Sequence, residues 1–322
     1  MSLQKTGFGL LTVLIALALS GHGGWSQTTG TIKIIVPGPP GASTDTVARL
    51  LGEQVGRAER LTIVVENRPG AGNVIGTEAA SRAAPDGNTL LINANPFVID
   101  PHLRKLSYDP LTSFEPVCHL VNSPLVIVVN SASPYRTLGD LLGAAHAKPG
   151  ELTLAAVGPG TASHIGFEVL KRAAKVDITF VPYLGNAPAI SALMGQHVTS
   201  ALTGYTVVAE QLKSGKLRAL ASATRTRSEL LPDVPTVAES GYKDCEVDFW
   251  NGLVAPAKTP KATISQLADW FTTALHVPEI KARLLAQGLF PVGTCGADFA
   301  AHLRRQYDEY GRVIRAANIR AN

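Results

Sequence analysis

The stretch PGPPGASTD (residues 37–45) ends an apolar strand and opens a helix, and a second stretch, GPGTASH (residues 158–164), does the same much later in the chain. The first turn of a helix leaves backbone N–H groups unpaired and carries partial positive charge. Two such helix starts that face one cleft would hold an anion. Their separation in sequence places one turn in each of two lobes, which predicts a binding protein whose ligand lies between the lobes.

Hydroxyl groups cluster in both turns, at Ser43 and Thr44 in the first and at Thr161 and Ser163 in the second. Exposed N–H groups and short hydroxyls are the donors that a carboxylate needs. The alternative is that each turn is an ordinary tight connection of an α/β fold. His164, at the start of the second helix, is interpreted as a donor or a capping group rather than a catalyst.

Further candidates lie where other strands end. Ligand contacts gather at the carboxyl ends of strands in open α/β sheets, and Tyr183 and Asn186 follow such a strand, with an ordinary surface loop as the alternative. The ligand-binding residues predicted from the turns and strand ends are Pro40, Gly41, Ala42, Ser43, Thr44, Asp45, Gly158, Gly160, Thr161, Ser163, His164, Tyr183 and Asn186.

The N-terminus resembles a leader. Lys5 is the only charged residue before an apolar run over residues 8–19, and small or polar residues follow at 20–26. This pattern predicts a secretory signal peptide over residues 1–26, because the run is shorter than the roughly 20 apolar residues that span a bilayer. We therefore expect a soluble, exported mature chain, with cleavage after Ser20 or Ser26.

Composition excludes several classes of function. The 322 residues include 29 Lys and Arg against 25 Asp and Glu, a net charge of +4 that is spread along the chain and argues against nucleic acid as a partner. The histidines and cysteines show neither HExxH nor CxxC spacing, so no metal site and no cofactor are predicted. Any two of Cys118, Cys245 and Cys295 could pair in an oxidising compartment, but we expect all three to be ordinary small apolar residues.

Local patterns predict individual elements. Apolar runs predict strands at residues 32–36 and 125–129, and helices are expected from about residue 43 and from the second glycine turn to about residue 174. Ser43 or Thr44 is available as the N-cap of the first helix, and Thr137 with Asp140 predicts a capping box before a later helix. Arg49 and Arg57 are interpreted as a solvated helix face, and Trp250 is interpreted as a core residue.

Strand and helix patterns alternate along the chain, which predicts an α/β fold with mostly parallel sheets. The last part of the chain is mainly helical and has too few strands to form a lobe of its own. We therefore predict a discontinuous lobe 1 (residues 27–124 and 247–322) and a lobe 2 (residues 125–246). The chain would cross between them twice, near residues 123–129 and 246–254, and the two crossing strands would form a hinge.

Enzyme motifs are incomplete. The segment GAGNVIG (residues 70–76) has the spacing GxGxxxG rather than that of a dinucleotide fingerprint, and no ribose-binding acid follows the next strand. Neither glycine turn carries a P-loop lysine, and no GxSxG nucleophile elbow occurs. Ser163 and His164 are adjacent, but neighbouring side chains at a helix start point in different directions. The sequence therefore predicts a protein that is not an enzyme.

Motifs in order from about residue 32 onward resemble the Bug family, also called TctC, the extracytoplasmic solute receptors of tripartite tricarboxylate transporters. The segments that carry the resemblance are IVP at 35–37, PPG at 39–41, TD at 44–45, VENRPGAG at 65–72, PDG at 85–87, GT at 160–161 with His164, VPY at 181–183, LPDVPT at 231–236, GL at 252–253 and AP at 255–256.

The resemblance implies a type II periplasmic binding protein, a fold of two α/β lobes joined by a two-strand hinge. It implies capture of a small organic anion by the two turns, largely through backbone groups and waters, and delivery to membrane transporter subunits. Asn95 is implied to line the same cleft. Presentation of the ligand to a periplasmic signalling partner is the alternative, and in either case we expect a monomer.

Four positions depart from the family pattern: Gly38 replaces a common aromatic residue, Ala42 a glycine, Leu184 a lysine and Thr199 an aspartate. Loss of an aromatic wall at Gly38 would enlarge the pocket. We therefore expect a ligand bulkier than a four-carbon diacid, with an aromatic acid as one candidate.

Overall fold

The computed structural model describes residues 30–320 apart from residues 159, 225, 244, 246 and 248. The predicted leader over residues 1–26 lies outside the described residues. Within the described part, no helix is both long enough and apolar enough to cross a membrane.

The strands, in chain order, are β1 (Thr31–Val36), β2 (Thr62–Asn67), β3 (Thr89–Ala94), β4 (Phe114–Ser123), β5 (Leu125–Asn130), β6 (Thr153–Val157), β7 (Thr179–Tyr183), β8 (Ser200–Gly204), β9 (Leu217–Ser222), β10 (Phe249–Pro256) and β11 (Phe290–Cys295). They form two sheets, one in the order β11-β4-β10-β3-β1-β2 and one in the order β7-β6-β8-β5-β9.

The α-helices, in chain order, are α1 (Ser43–Glu59), α2 (Val74–Ser81), α3 (Pro96–Ile99), α4 (Leu138–Ala147), α5 (Ala162–Ala174), α6 (Asn186–Met194), α7 (Tyr205–Lys213), α8 (Lys261–His276), α9 (Pro278–Ala286) and α10 (Gly296–Ala317). Short 3₁₀ turns lie at Ala71–Asn73 and Asp100–His102. The capping box predicted before α4 is present, since Thr137 accepts from the Asp140 N–H and the Asp140 carboxylate accepts from the Thr137 N–H.

Both sheets are mixed, so the prediction of mostly parallel sheets is wrong. The ladders β1–β2, β1–β3, β6–β7 and β6–β8 are parallel, as βαβ units require. In contrast, β10 is antiparallel to β3 and β4, β11 is antiparallel to β4, and β5 is antiparallel to β8 and β9. The prediction failed because the directions of β5 and β10, the strands at the two chain passages, depend on ladder partners that are distant in the sequence.

Alternate residues of the central strands supply the cores. In β1, Ile32 and Ile34 pack with α1 and α8, whereas Ile35 joins a cluster on the opposite face of the sheet. The same alternation divides β5, where Val126 and Val128 face α6 and α7. The cluster that contains Ile35 also contains Leu125 of the second sheet and Phe167 of α5, which packs on that sheet. One continuous apolar core therefore joins the two lobes on one side.

The chain passes between the sheets at two places. Between β4 of the first sheet and β5 of the second lies only Pro124, and the chain returns from β9 to β10 through residues 223–248. Trp250, in β10 near the second passage, is fully buried, as predicted for a core residue. The fold is thus a two-lobe α/β architecture with the passages close together.

Cys118 and Cys295 form a disulfide, and Cys245 is buried and takes no part in it. The two bonded residues lie opposite each other on the antiparallel strands β4 and β11. The expectation that all three are ordinary small apolar residues is therefore wrong for this pair. Sequence alone could not select it, because the register between β4 and β11 is a tertiary feature.

Candidate functional site

A cleft of about 840 Å³ lies between the two lobes. Residues of both glycine turns line it, together with residues near both chain passages. The described lining residues include Gly41, Ser43, Thr46, Gly72, Asn73, Asn95, Asp100, Arg104, Ser123, Gly160, Thr161, Ser163, Asn186, Thr206, Phe249, Gln287 and Leu289.

The first turn connects β1 to α1 and contributes Gly41 and Ser43 to the cleft. The prediction that Ser43 or Thr44 caps α1 is wrong, because the N-cap residue is Ala42 and no side chain caps the helix there. Instead the buried carboxylate of Asp45 accepts from the Gly41 N–H at 2.9 Å. The turn is thus held by the side chain of Asp45 in the first turn of α1. Ser43 does not cap the helix and lines the cleft.

Asp45 is also the centre of a polar network. Its carboxylate accepts from Arg49 Nε at 3.0 Å and from Asn67 Nδ2 at 2.9 Å. Burial disfavours the charged carboxylate, but hydrogen bonds from Arg49, the Gly41 N–H and Asn67 outweigh it and hold the pKa of Asp45 below its usual value. Arg49, predicted to lie on a solvated helix face, is half exposed but ion-paired. Arg57, predicted to lie on the same face, is largely exposed.

The second turn connects β6 to α5 and is closed differently. Thr161 is the N-cap of α5; its hydroxyl accepts from the His164 N–H at 3.3 Å and donates to the Val157 carbonyl at 2.9 Å. Gly160 has a φ of +78°, and a Cβ there would lie 2.5 Å from Leu103 Cδ1. Since Leu103 follows β3 in the first lobe, the second turn reaches across the cleft to the first lobe at this point.

The buried side chain of His164 supports the second turn. Its Nδ1 accepts from the Gly160 N–H at 3.2 Å, and its ring stacks on Phe180 at 4.1 Å between centroids. Burial lowers the pKa of His164 to about 4, so the ring is neutral at pH 7. Within the part of the chain that the structure describes, the His164 ring makes no hydrogen bond to Ser163. The arrangement fits a structural support of the turn better than a base beside a nucleophile.

The cleft brings together seven of the predicted residues: Gly41, Ser43, Asn95, Gly160, Thr161, Ser163 and Asn186. Asn95 is fully buried, donates to the Tyr310 hydroxyl at 3.0 Å and accepts from the Trp250 N–H at 3.3 Å. Asn186 begins α6 and contacts Thr203 Oγ1 at 3.4 Å. Side chains from both lobes and from the β10 passage therefore meet at one site.

The other predicted residues are not among the described residues that line the cleft: Pro40, Ala42, Thr44, Asp45, Gly158, His164 and Tyr183. Tyr183 packs against the core of the second lobe, and its carbonyl accepts from the Gly158 N–H at 3.0 Å. Gly38, where loss of an aromatic side chain was expected to enlarge the pocket, is also not among the described residues that line the cleft. A Cβ there would meet Thr44 Oγ1 at 3.4 Å. These residues shape or support the turns.

Sequence reasoning missed most of the described cleft residues, among them two groups that lie far in the sequence from the predicted turns. Asp100 and Arg104 lie just after α3, and Gln287 and Leu289 lie between α9 and β11. Neither segment carries a glycine-rich turn, so no local signal marked it. Burial raises the pKa of Asp100 to about 6, although the nearby charge of Arg104 opposes this shift.

Residues 47–319 match the family described as "Tripartite tricarboxylate transporter family receptor". Protein BugT of Bordetella pertussis is 35% identical over 264 residues, which cover 81% of each chain. Two similar solved structures come from Rhodopseudomonas palustris. One, Rpa4515 with adipate, is 27% identical, has a TM-score of 0.75 and is matched over 90% of this chain and 98% of its own.

The other is MatC with bound malate, which is 29% identical, has a TM-score of 0.70 and is matched over 88% of this chain and 98% of its own. The matches extend over both lobes and over the cleft between them. The chain therefore belongs to the tripartite tricarboxylate transporter receptor family, a family of periplasmic solute-binding proteins.

Proposed function

We propose that this chain is a periplasmic receptor that captures a small organic anion through a carboxylate and delivers it to a tripartite tricarboxylate-type membrane transporter. The observation that carries the proposal is that both glycine turns, each at the start of a helix, line one cleft between two lobes. The receptor acts without covalent chemistry or a cofactor. Adipate and malate in related structures support the ligand class.

Capture follows from contacts that differ between an open and a closed form. The carboxylate first meets the N–H groups and the hydroxyl of one turn, and approach of the other lobe adds donors from the second turn. Water leaves as the lobes close, and the hydrogen bonds to the carboxylate become stronger in the drier site. The ligand thus stabilises the closed form, which is the form that a transporter would recognise.

The boundaries of the molecule are part of the proposal. Residues 1–26 are a leader removed on export, and the lobes comprise residues 27–124 with 247–322 and residues 125–246. The mature receptor is a monomer. The prediction of a ligand bulkier than a four-carbon diacid, including an aromatic acid, also stays a proposal, and the cleft volume of about 840 Å³ is compatible with it.

The test is a thermal-shift screen of residues 27–322 against mono-, di- and tricarboxylates, aromatic acids and amino acids, followed by calorimetric titration of the hits. A ligand at 100 times its Kd adds about 2.7 kcal/mol to the free energy of unfolding, which a melting curve detects. We expect hits confined to carboxylates. Denatured protein is also analysed by mass spectrometry, so that a ligand retained during purification is identified.

Ser163→Ala is the informative variant, because Ser163 lines the cleft and is buried. We expect it to weaken binding by about tenfold, the loss of one hydrogen bond to a charged group. Ser191→Ala is the matched control on the exposed surface of α6. If no carboxylate binds or is retained, or if both variants bind as tightly as the parent, the assignment of the turns as the carboxylate site is wrong.

A further inference from the structure

One wall of the cleft carries the guanidinium group of Arg104, a residue that belongs to neither glycine turn. Arg104 and Asp100 both line the cleft, in the segment that follows α3. The side chain of Arg104 is 37% exposed, whereas that of Asp100 is 8% exposed. The cation is therefore the accessible member of the pair, and the carboxylate is the more deeply buried one.

Contacts on two sides fix the position of this guanidinium. Arg104 Nε lies 3.3 Å from Asp100 Oδ1, and Nη1 donates to the Ala71 carbonyl at 3.2 Å. A Cβ at Gly72 would lie 3.3 Å from Arg104 Nη1, so the glycine loop lets the planar group rest against the backbone. An arginine held in this way loses less conformational entropy when it binds an anion than a mobile side chain does.

The pair leaves hydrogen-bonding capacity for a ligand. A guanidinium has five N–H donors, and the two contacts to Asp100 and Ala71 use only part of them. Arg104 is the only lysine or arginine among the described residues that line the cleft. Although burial raises the pKa of Asp100 to about 6, its carboxyl is still largely ionised at pH 7.5, so it can orient the guanidinium as an ion-pair partner.

We propose that Arg104 is a specificity-determining residue that pairs with a second anionic group of the ligand, so that this receptor prefers dianions to monoanions of the same length. The inference rests on the proposed function, in which the glycine turns hold the first carboxylate. Guanidinium–carboxylate pairs in a partly dry site are directional and charge-assisted. Asp100 and the loop at residues 71–72 act as positioning groups for Arg104.

The experiment compares matched acids by calorimetric titration at pH 7.5: adipate with hexanoate, and benzene-1,4-dicarboxylate with 4-methylbenzoate. Each is titrated into the parent, Arg104→Gln, Arg104→Lys and Lys105→Gln. Lys105 is the control because it is the adjacent, exposed cation and does not line the described cleft. Lys105→Gln thus removes the same formal charge without changing the site.

For at least one pair we expect the parent to bind the dianion about tenfold or more tightly than the monoanion. Arg104→Gln should remove this preference and leave monoanion binding within about threefold, which also shows that the variant is folded. Arg104→Lys should retain part of the preference, and Lys105→Gln all of it.

Three results would overturn the inference. If carboxylates bind the parent but dianions bind no more tightly than monoanions, the second anionic subsite is excluded, whereas the receptor function is not affected by this result. An equal loss of monoanion and dianion binding in Arg104→Gln makes Arg104 a structural support of the loop only. If no carboxylate of any kind binds the parent, the proposed function itself fails, and the inference fails with it.

Discussion

Asp45 shows how one side chain can set the geometry of a ligand-binding turn. It lies inside the first turn of α1, where a negative charge is favoured by the helix dipole, and it accepts from the Gly41 N–H in the turn that precedes the helix. Arg49 and Asn67 orient the same carboxylate from α1 and β2. The residue has no described contact with the cleft, yet it determines where Gly41 and Ser43 lie.

We expect Asp45→Asn to lower the free energy of unfolding by about 1–3 kcal/mol, because charge-assisted bonds to Gly41 and Arg49 become neutral or are lost. Because the folded pKa of Asp45 is depressed, its contribution is present above the unfolded pKa of about 4 and disappears as pH falls through the folded pKa. The difference between parent and variant, measured by denaturant titration, should therefore shrink below pH 4.

Glu53→Gln is the control, since Glu53 forms an exposed pair with Arg57 on the same helix. Its effect should stay within about 0.5 kcal/mol. An Asp45→Asn protein as stable as the control at pH 7 would contradict the role given to this network.

At the scale of elements, β11 is the strand that depends most on a covalent bond. It forms the edge of the first sheet, and its ladder with β4 is interrupted between Pro291 and Thr294. The disulfide between Cys118 and Cys295 connects the two strands beyond this interruption. It thereby also holds the start of α10, which packs against β4 and α5.

Loss of this disulfide should lower the free energy of unfolding by about 2–5 kcal/mol, because the bond closes a long loop of chain in the unfolded state. We expect a reductant to lower the unfolding midpoint of the parent and of Cys245→Ala, which retains the pair. The double variant Cys118→Ala/Cys295→Ala should start at a lower midpoint and show no further response. If the unfolding midpoint of the parent does not change in the presence of the reductant, although thiol titration shows that the disulfide is reduced, the prediction is contradicted.

In the whole molecule, the two lobes approach each other closely at glycines, because these residues have no side chain that would separate the lobes. Gly160 of the second lobe lies against Leu103, and Gly288, between α9 and β11, lies against Tyr205 and Thr206 at the start of α7. A Cβ at Gly288 would lie 2.8 Å from Thr206 Cγ2 and 2.9 Å from Tyr205 Cδ1. Gln287 and Leu289 beside it line the cleft, so this contact closes one end of the site.

Gly288→Ala should therefore favour an open arrangement of the lobes and weaken ligand binding by about tenfold or more, since closure must overcome the new contact. Small-angle scattering with saturating ligand should give a larger radius of gyration than for the parent. Gly215→Ala is the matched control, because Gly215 has the same positive φ, +68° against +66°, with no atom near its Cβ position.

Both substitutions destabilise the backbone by about 1–2 kcal/mol through the left-handed conformation. Only Gly288→Ala should change affinity and shape. Equal affinities for the two variants would show that the lobes do not need this approach in order to hold ligand.

Much of the fold could be predicted from local patterns. The segments around β1, α1, β5 and α5 show clear apolar periodicity, and the structure has these elements close to the predicted positions. The strands β4 and β11 were missed because their residues do not alternate regularly and because their ladder partners are distant in the chain. Strand direction depends on such partners, which explains why the mixed character of both sheets escaped prediction.

The family, the two-lobe α/β class and the two glycine turns could be predicted from the sequence, because turn chemistry and helix starts are encoded within a few consecutive residues. Other features became known only from the three-dimensional structure: the support of the turns by Asp45 and His164, the pairing of Cys118 with Cys295, and the position of Arg104 at the cleft. Each of these features depends on contacts between residues that are distant in the sequence and come together only in the folded chain. Such meetings are set by packing and strand register over the whole molecule, which no short stretch of sequence contains.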